Sequence, residues 1–290
     1  MAHVGDADLS AADFIVLEMR FPRMLTGALA GASLAVAGAI IQAISRNPLG
    51  SPDLVGVSSG ASFFVVLGVV VFNLPISGLL IVGTLGGFFA GAMTFFLAWR
   101  VGLSPLQIIL SGVCIGLFFN AAITLLLLAG DADINGLYYW LAGSLNNTDW
   151  RHVEQLYPFV LCGLTVSFLF FRTLDMLGLD EMTSRSLGLN LIKWRLILGI
   201  TSVVLTASTV ATAGPIAFIG LVAPHIVSLI FKSTSGRLSH KTLLPLTALT
   251  GAFLVVIADV LAKHLQIPVG ILCILTGGPL LVILIKRQKI

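Results

Sequence analysis

The chain has 290 residues, of which 57% are hydrophobic and only 10% are charged, and its formal net charge is +3. A soluble domain carries about 25% charged residues, so these values exclude an ordinary soluble protein, and the few scattered cations exclude a nucleic-acid-binding face. Several apolar runs reach the roughly 18 residues of a spanning helix and are too uniformly apolar for barrel strands. The composition predicts an all-α fold, a polytopic membrane bundle formed by residues 1–290 as a single domain.

Nine apolar segments follow a polar lead at residues 1–20. In chain order they cover residues 24–44, 54–72, 76–99, 106–129, 156–171, 194–213, 216–231, 242–265 and 268–285. Some carry glycines spaced by four residues, as at Gly27 and Gly31 or at Gly83, Gly87 and Gly91, and such stripes let membrane helices approach closely. Gly214, followed by proline, is predicted to break the chain between the sixth and seventh segments.

Most ionisable residues lie in the connections between these segments. Residues 45–53 read as a proline-rich turn, and residues 130–155 are polar with aromatic side chains typical of a membrane interface. Residues 172–195 form the longest strongly charged stretch. Within it, Asp180 and Thr183 are candidate helix starts and Gly188 is a candidate helix stop.

Alternation of the nine spans predicts an asymmetric distribution of Lys and Arg. One side holds four of them, Arg20, Arg23, Arg151 and Lys263. The other holds twelve, Arg46, Arg100, Arg172, Arg185, Lys193, Arg195, Lys232, Arg237, Lys241, Lys286, Arg287 and Lys289. Basic residues concentrate in cytoplasmic loops, so the second side and the C-terminus are predicted to be cytoplasmic. The N-terminus would then lie outside without a signal peptide, and we expect a further span upstream, lost through a misplaced start or a truncation.

Catalytic and metal-binding motifs are absent from the sequence. It contains no GxxxxGK[ST], so the chain is not expected to hydrolyse ATP itself or to be an enzyme. The cysteines stand singly in apolar runs, and no ligand spacing suits zinc; no cofactor is predicted. His225 is predicted to bond backbone freed by Pro224 rather than to bind a metal. Asp259 and Lys263, four residues apart on one helical face, are predicted to form a local ion pair.

Three classes of protein fit a helical bundle of this kind. A secondary transporter places a relay of ionisable groups within its spans, and this sequence shows none. A passive channel has no use for a charged platform at residues 172–195. A structural subunit of another complex is the third class. Frequent glycine and proline breaks favour helices that rock against each other, and together with the charged stretch they favour a transport subunit driven by a partner.

Several motifs resemble the permease subunits of iron-chelate and cobalamin ABC importers. The first is Arg20-Phe21-Pro22-Arg23, followed by GALAGASLAVAGAIIQAISRNPLGSPDLVGVSSGA over residues 27–61. Others are WLAGSL at 140–145 with Asp149-Trp150, SLGL at 186–189, AGPIAFIGLVAPHI at 213–226, Leu243-Leu244-Pro245, Ala258-Asp259 and Pro268-Val269-Gly270. They follow the family's order over residues 20–287. The family has ten spans per subunit, and this chain shows nine.

The resemblance implies a type II importer permease that works as a homo- or heterodimer in the bacterial cytoplasmic membrane. Two ATP-binding cassette ATPase subunits would bind inside, and a periplasmic or lipid-anchored substrate-binding protein outside. The family's docking cations fall on Arg20, Arg23 and Lys263. Its ATPase-coupling loop, with two short helices, falls on residues 180–190 and implies contacts from Asp180, Glu181, Ser184, Arg185, Leu187 and Gly188. The pathway would run at the dimer axis, along residues 106–129 and 268–285 among others.

The cargo implied by the resemblance is an iron(III)-siderophore or a similar metal chelate. Haem and cobalamin are the alternatives within the family. The spans show no dedicated iron ligands, as expected if the outside protein selects the cargo.

Overall fold

The computed structural model describes residues 11–129, 134–146, 148–231 and 238–287. Lys232, Arg237 and Lys289, which entered the charge count, lie outside these ranges, as do the first ten residues of the polar lead. Regular structure in the described residues is helical. The helices are α1 (Ala11–Phe14), α2 (Phe21–Ser45), α3 (Val57–Val70), α4 (Ile76–Arg100), α5 (Pro105–Ala129), α6 (Ile134–Leu141), α7 (Trp150–Leu169), α8 (Phe171–Leu177), α9 (Glu181–Ser186), α10 (Leu191–Ala213), α11 (Ile219–Ile230), α12 (His240–Leu265) and α13 (Val269–Arg287).

The nine predicted apolar segments correspond to α2, α3, α4, α5, α7, α10, α11, α12 and α13. Within the described ranges, five helices are long and apolar enough to cross a membrane, and α7 with α8 makes a sixth if that bent pair counts as one span. The remaining segments form shorter apolar helices, at Val57–Val70, Ile219–Ile230 and Val269–Val282. The polar lead is partly helical, since a π-helix at Ile15–Arg20 joins α1 to α2. The all-helical membrane fold is confirmed.

Helix α2 lies at the centre of the bundle and contacts α7, α10, α11 and α12. Its small residues permit this crowding, as their spacing predicted. A Cβ atom added at Gly31 would overlap the carbonyl of Gly251 in α12, and one at Gly38 would overlap the carbonyl of Gly220 in α11. Close backbone approach replaces large side-chain contacts here, as expected for helices that pack in lipid.

The connection between α2 and α3, predicted as a proline-rich turn over residues 45–53, ends in a segment that packs into the bundle. Its 3₁₀ helix, Pro52–Val55, packs so tightly on α5 that a Cβ atom at Gly112 would overlap the Leu54 carbonyl. Gly112 lies seven residues after the start of α5, which is about 10 Å along the helix axis. Irregular backbone is tolerated at such depth when protein covers it, and α3 is short because the chain enters it from inside the bundle.

Helix α10 ends at Ala213, and the predicted break at Gly214 is confirmed. Gly214 has φ +69°, and α11 begins only at Ile219, so residues 214–218 are non-helical. The Ala213 carbonyl accepts a hydrogen bond from the Ser144 N–H at 2.9 Å. The connection after α6 therefore packs on this break and satisfies part of its backbone.

Helix α7 bends by 65° into α8 at Phe170, so the predicted end of the fifth span at Phe171 is a bend rather than a stop. Asp175 then ties α8 to the start of α12. Its Oδ1 accepts the His240 N–H at 2.8 Å and lies 2.6 Å from His240 Nδ1, and its Oδ2 accepts the Ser239 hydroxyl at 2.7 Å. The charged stretch thus starts as a helix fixed to the bundle.

Candidate functional site

The first candidate site is the coupling segment, residues 180–190. Asp180 caps α9 by accepting the Thr183 N–H at 2.9 Å on its Oδ2. Helix α9 ends at Ser186, and Gly188 follows with φ +80°, a conformation that favours glycine. Asn190 caps α10 by accepting the Lys193 N–H at 3.1 Å. The predicted start at Asp180 and stop at Gly188 are confirmed, whereas Thr183, the other candidate start, lies inside α9. The resemblance predicted two short helices within residues 180–190. The structure has one short helix there, α9, and the other short helix, α8, lies before residue 180.

The coupling segment presents apolar side chains to its surroundings. Met182 is 85% exposed and Leu187 is 57% exposed, with Leu179 beside the segment at 37%. Arg185 and Asp180 are also exposed. These three exposed apolar side chains lie on α9 or directly beside it. Met182 was missed in the sequence, where it was one apolar residue among many, because its exposure depends on which face of α9 is covered.

Two of the residues expected to contact a partner face the bundle instead. Ser184 is fully buried, and its hydroxyl donates to the carbonyls of Met176 and Asp180, both at 2.8 Å. Glu181 turns towards α10, where its Oε1 lies 2.6 Å from Nη2 of Arg195. The hydrogen bond from Arg195 holds the pKa of the Glu181 carboxyl below its ordinary value. The two residues therefore attach α9 to the bundle.

Arg195 is a further residue whose position the sequence did not indicate. It reads as the edge of a polar stretch, yet it is only 3% exposed. Its Nη1 donates to the Leu103 carbonyl at 3.0 Å, in the turn between α4 and α5. A buried guanidinium needs a partner to offset the cost of its burial, and Glu181 is that partner.

The second candidate site lies at the opposite end of the bundle. A cavity of about 930 Å³ opens there, and Arg20, Arg23 and Lys263 all line it. These residues come from the start of α2 and the end of α12, far apart in the chain. The structure thus brings together the three cations to which the resemblance assigned docking.

Carboxylates and aromatic rings also line this cavity. The carboxylates are Glu18 and Asp149, and the aromatic rings include Tyr139 and Trp140. Asp149 caps α7 and pairs with His152, whose Nδ1 lies 2.7 Å from Asp149 Oδ1. Asp149 is therefore engaged within the chain, and Glu18 is the other carboxylate at this cavity.

The predicted ion pair between Asp259 and Lys263 is wrong. Asp259 pairs with Arg23 instead, through Nε to Oδ2 at 2.7 Å and Nη2 to Oδ1 at 2.8 Å. The guanidinium offers two parallel donors to a carboxylate, whereas an ammonium offers a point charge. Arg23 therefore joins α2 to α12, and Arg20 and Lys263 are the exposed cations of the three.

Among the described residues, no three His, Cys, Asp or Glu side chains gather in a group that could hold a metal ion. His225 is buried inside α11 next to Pro224. The cysteines are unpaired thiols, with Cys114 and Cys162 exposed and Cys273 buried. Chemistry at either candidate site is thus that of charged and apolar contact surfaces.

Comparison with known proteins matches residues 2–287 to the FecCD transport family. The chain is 35% identical over 286 residues to the Fe(3+)-citrate import system permease protein YfmD of Bacillus subtilis (strain 168), covering 97% of this chain and 84% of that protein. It is 36% identical over 295 residues to the ferric enterobactin transport system permease protein FepG of Escherichia coli (strain K12), covering 99% of this chain and 87% of that protein.

Two further matches are a relative named for cobalamin import and a solved structure. The cobalamin import system permease protein BtuC of Halobacterium salinarum (strain ATCC 700922 / JCM 11081 / NRC-1) is 34% identical, with 96% of this chain and 75% of that protein covered. A solved metal-chelate type ABC transporter in an inward-facing conformation superposes with a TM-score of 0.89 at 29% identity, covering 98% of this chain and 92% of that chain.

Proposed function

This chain belongs to the FecCD transport family, and we propose that it is the membrane-spanning permease subunit of an ATP-driven importer. The observation that carries the proposal is the coupling segment. Met182 on the short, capped helix α9 and Leu187 directly after that helix are both exposed apolar side chains beyond the ends of the spans. The chain has no P-loop of its own, so a partner must hold the nucleotide. Relatives carry the names of import-system permeases, which agrees with this division of labour.

The partner at the coupling segment is, on this proposal, an ATP-binding cassette ATPase. Met182 and Leu187 would enter an apolar groove on it, while Arg185 would lie at the polar rim of the contact. Burial of an apolar side chain contributes roughly 1.5–3 kcal/mol, so the two side chains would contribute to the contact, and the rest of the surface would offset the cost of association. Closing and opening of an ATPase pair would move α9 and re-tilt the helices attached to it.

The partner at the opposite end would be a substrate-binding protein with acidic surface residues. Arg20 and Lys263 are exposed at the mouth of the 930 Å³ cavity and are the cations that it would contact. Arg23 contributes by its pairing with Asp259, which fixes the outer ends of α2 and α12. With the basic residues near α9 assigned to the cytoplasm, this end faces outward and the C-terminus faces inward. A second permease subunit would complete the pathway.

We assign an iron(III) chelate as cargo. Relatives named for ferric citrate, ferric enterobactin and iron hydroxamate support it, and cobalamin is the alternative that one relative's name supports. The chain would be reconstituted in vesicles with its ATPase and binding protein and supplied with ⁵⁵Fe-citrate, ⁵⁵Fe-enterobactin or labelled cobalamin. We expect uptake of an iron chelate that needs ATP. Uptake that continues without ATP would show a secondary transporter or channel instead.

The docking assignment has its own test. Arg20→Glu with Lys263→Glu should weaken binding-protein affinity at least tenfold, because two attractive contacts become repulsive. Arg151→Glu is the control, since it makes the charge change of either single substitution at the same end without lining the cavity. If the double variant and the control had equal effects, Arg20 and Lys263 would be interpreted as residues that interact with the membrane interface and not with the binding protein.

A further inference from the structure

The ionic attachment of α9 to the bundle runs through one carboxylate. Glu181 is the first residue of α9, and its Oε1 accepts from Arg195 Nη2 at 2.6 Å. Arg195 belongs to α10, and its Nη1 donates to the Leu103 carbonyl at 3.0 Å. A single ion pair therefore connects α9 with α10 and with the turn between α4 and α5.

Arg46 adds the central helix to this connection. It ends α2 with φ +50°, and its Nη1 lies 3.7 Å from Glu181 Oε1. Its Nε donates to the Leu177 carbonyl at the end of α8, at 3.0 Å. The same glutamate thus lies within reach of guanidinium groups from α2 and α10, which both pack in the core.

The charges make Glu181 necessary to this arrangement. Arg46 and Arg195 are close enough for the positive charge of Arg195 to lower the pKa of Arg46, an effect second to that of burial. Without the carboxylate, the almost fully buried guanidinium of Arg195 would lose its ionic partner, and Arg46 would keep only the charge of Asp180. Arg185 approaches only the other oxygen, Oε2, at 3.8 Å and is exposed. It makes the weaker contact of the set.

Helix α9 is short enough to depend on this anchor. It has six residues, and helices of that length are not stable by themselves in water. A helix that transmits force must be held rigidly where it meets the elements that it moves. Besides the Ser184 hydroxyl, the Glu181 carboxylate is the side-chain group that fixes α9 to elements other than itself in the described part of the chain.

We propose that Glu181, Arg195 and Arg46 form the link through which movement of α9 reaches α10 and α2. This inference rests on the proposed function and reassigns Glu181 from contact with the ATPase to transmission inside the permease. Glu181 and Arg195 are then positioning residues, and Met182 and Leu187 make the external contact. If the link is lost, the ATPase stays bound, but its ATP hydrolysis no longer moves α10 and α2.

The test compares Glu181→Gln with Glu154→Gln, an identical change at an exposed position of α7 away from both sites. Three quantities are measured in the assembled transporter: ATPase affinity, ATP hydrolysis rate, and molecules of ATP consumed per chelate imported. For Glu181→Gln we expect ATPase affinity within twofold of the unmodified chain and at least a tenfold rise in ATP consumed per import. Glu154→Gln should change none of them.

Two results would overturn the link. A tenfold loss of ATPase affinity in Glu181→Gln would make Glu181 part of the external contact. An unchanged ratio of ATP to import would show that movement passes elsewhere. If the unmodified chain itself binds no ATPase, the proposed function fails, and that outcome is visible before any variant is made.

A spectroscopic measurement keeps the test decisive if the variant assembles poorly. A spin label on cysteine introduced at the exposed Ser186, with Cys114 and Cys162 replaced by alanine, reports the mobility of α9 in the permease alone. We expect Glu181→Gln and Arg195→Lys to raise that mobility. The first removes the carboxylate, and the second replaces the two guanidinium nitrogens that separately contact Leu103 and Glu181 by a single nitrogen. Unchanged mobility in both variants would contradict the proposal.

Discussion

Replacing Arg23 tests the ion pair that joins α2 to α12. Its guanidinium makes two hydrogen bonds to Asp259, at 2.7 and 2.8 Å, and the two side chains are 19% and 12% exposed. Arg23→Met keeps the aliphatic stem and removes the charge, so Asp259 stays largely covered without its partner. The predicted effect is a loss of stability in the permease itself, apart from any docking role.

The magnitude follows from the burial of the pair. Removing one partner of a fully buried pair costs about 3–5 kcal/mol, whereas exposed pairs contribute roughly 0–1 kcal/mol. Because a small part of both side chains remains accessible, we expect Arg23→Met to cost about 2–3 kcal/mol. For large domains this corresponds to a fall in Tm of roughly 5–10 °C.

The assay is thermal unfolding of the detergent-purified chain, followed by circular dichroism, for Arg23→Met, Asp259→Asn and the double variant. The double variant should lose less stability than the sum of the single losses, since it leaves no uncompensated charge. Arg151→Met, at the same end of the bundle, is the control and should shift Tm by less than about 2 °C. Strictly additive losses, or a Tm for Arg23→Met equal to that of the control, would refute the pairing.

Three further predictions concern other parts of the molecule. Gly38→Val should prevent correct packing and sharply lower the yield of folded protein, because any Cβ atom there overlaps the Gly220 carbonyl. Gly136→Ala is the control, since no atom lies within 4 Å of the Cβ atom that it adds. In size-exclusion chromatography the control should behave as the unmodified chain. Met182→Glu should lower ATPase affinity at least tenfold without changing Tm, since it places a charge on the exposed apolar surface; an unchanged affinity in a binding assay would move the contact elsewhere. Because hydrogen bonding from Arg195 holds the pKa of Glu181 below its ordinary 4.5, its stabilising contribution is complete above pH 4.5 and is lost as pH falls through the lowered value. The mobility of a label on α9 should therefore stay constant above pH 4.5 and rise below it. Glu181→Gln should weaken that dependence without abolishing it, because the hydrogen bonds from Thr183 also lower the pKa of Asp180, which caps α9.

The elements that the sequence located correctly are those set by local physics. Each apolar segment had to be helical, because lipid offers no partner for backbone N–H and C=O groups and a helix satisfies them internally. The cap at Asp180 depends on a hydrogen bond from the Thr183 N–H, three residues away. The stop at Gly188 depends on the backbone conformation of that one residue. The glycine stripes of α2 likewise marked the faces on which other helices pack.

The sequence did not predict which polar residues pair with each other. Asp259 has Lys263 one turn away, which the sequence favours, but it pairs with Arg23, 236 residues distant, because α2 and α12 bring their ends together. Residues 45–53 have the composition of a surface turn, yet part of that connection packs against α5 inside the bundle.

The sequence by itself determined that this protein is a helical membrane bundle without a P-loop motif, which segments are its apolar helices, and which charged stretch stands apart from them. Those properties depend on composition, hydropathy and neighbours a few residues away. Only the tertiary structure decided which face of that stretch is exposed and which is held by Arg195. In a bundle of crossing helices, the packing of the helices decides which oppositely charged group lies close to a given charge. A buried charge is stable only where such a group lies within contact distance.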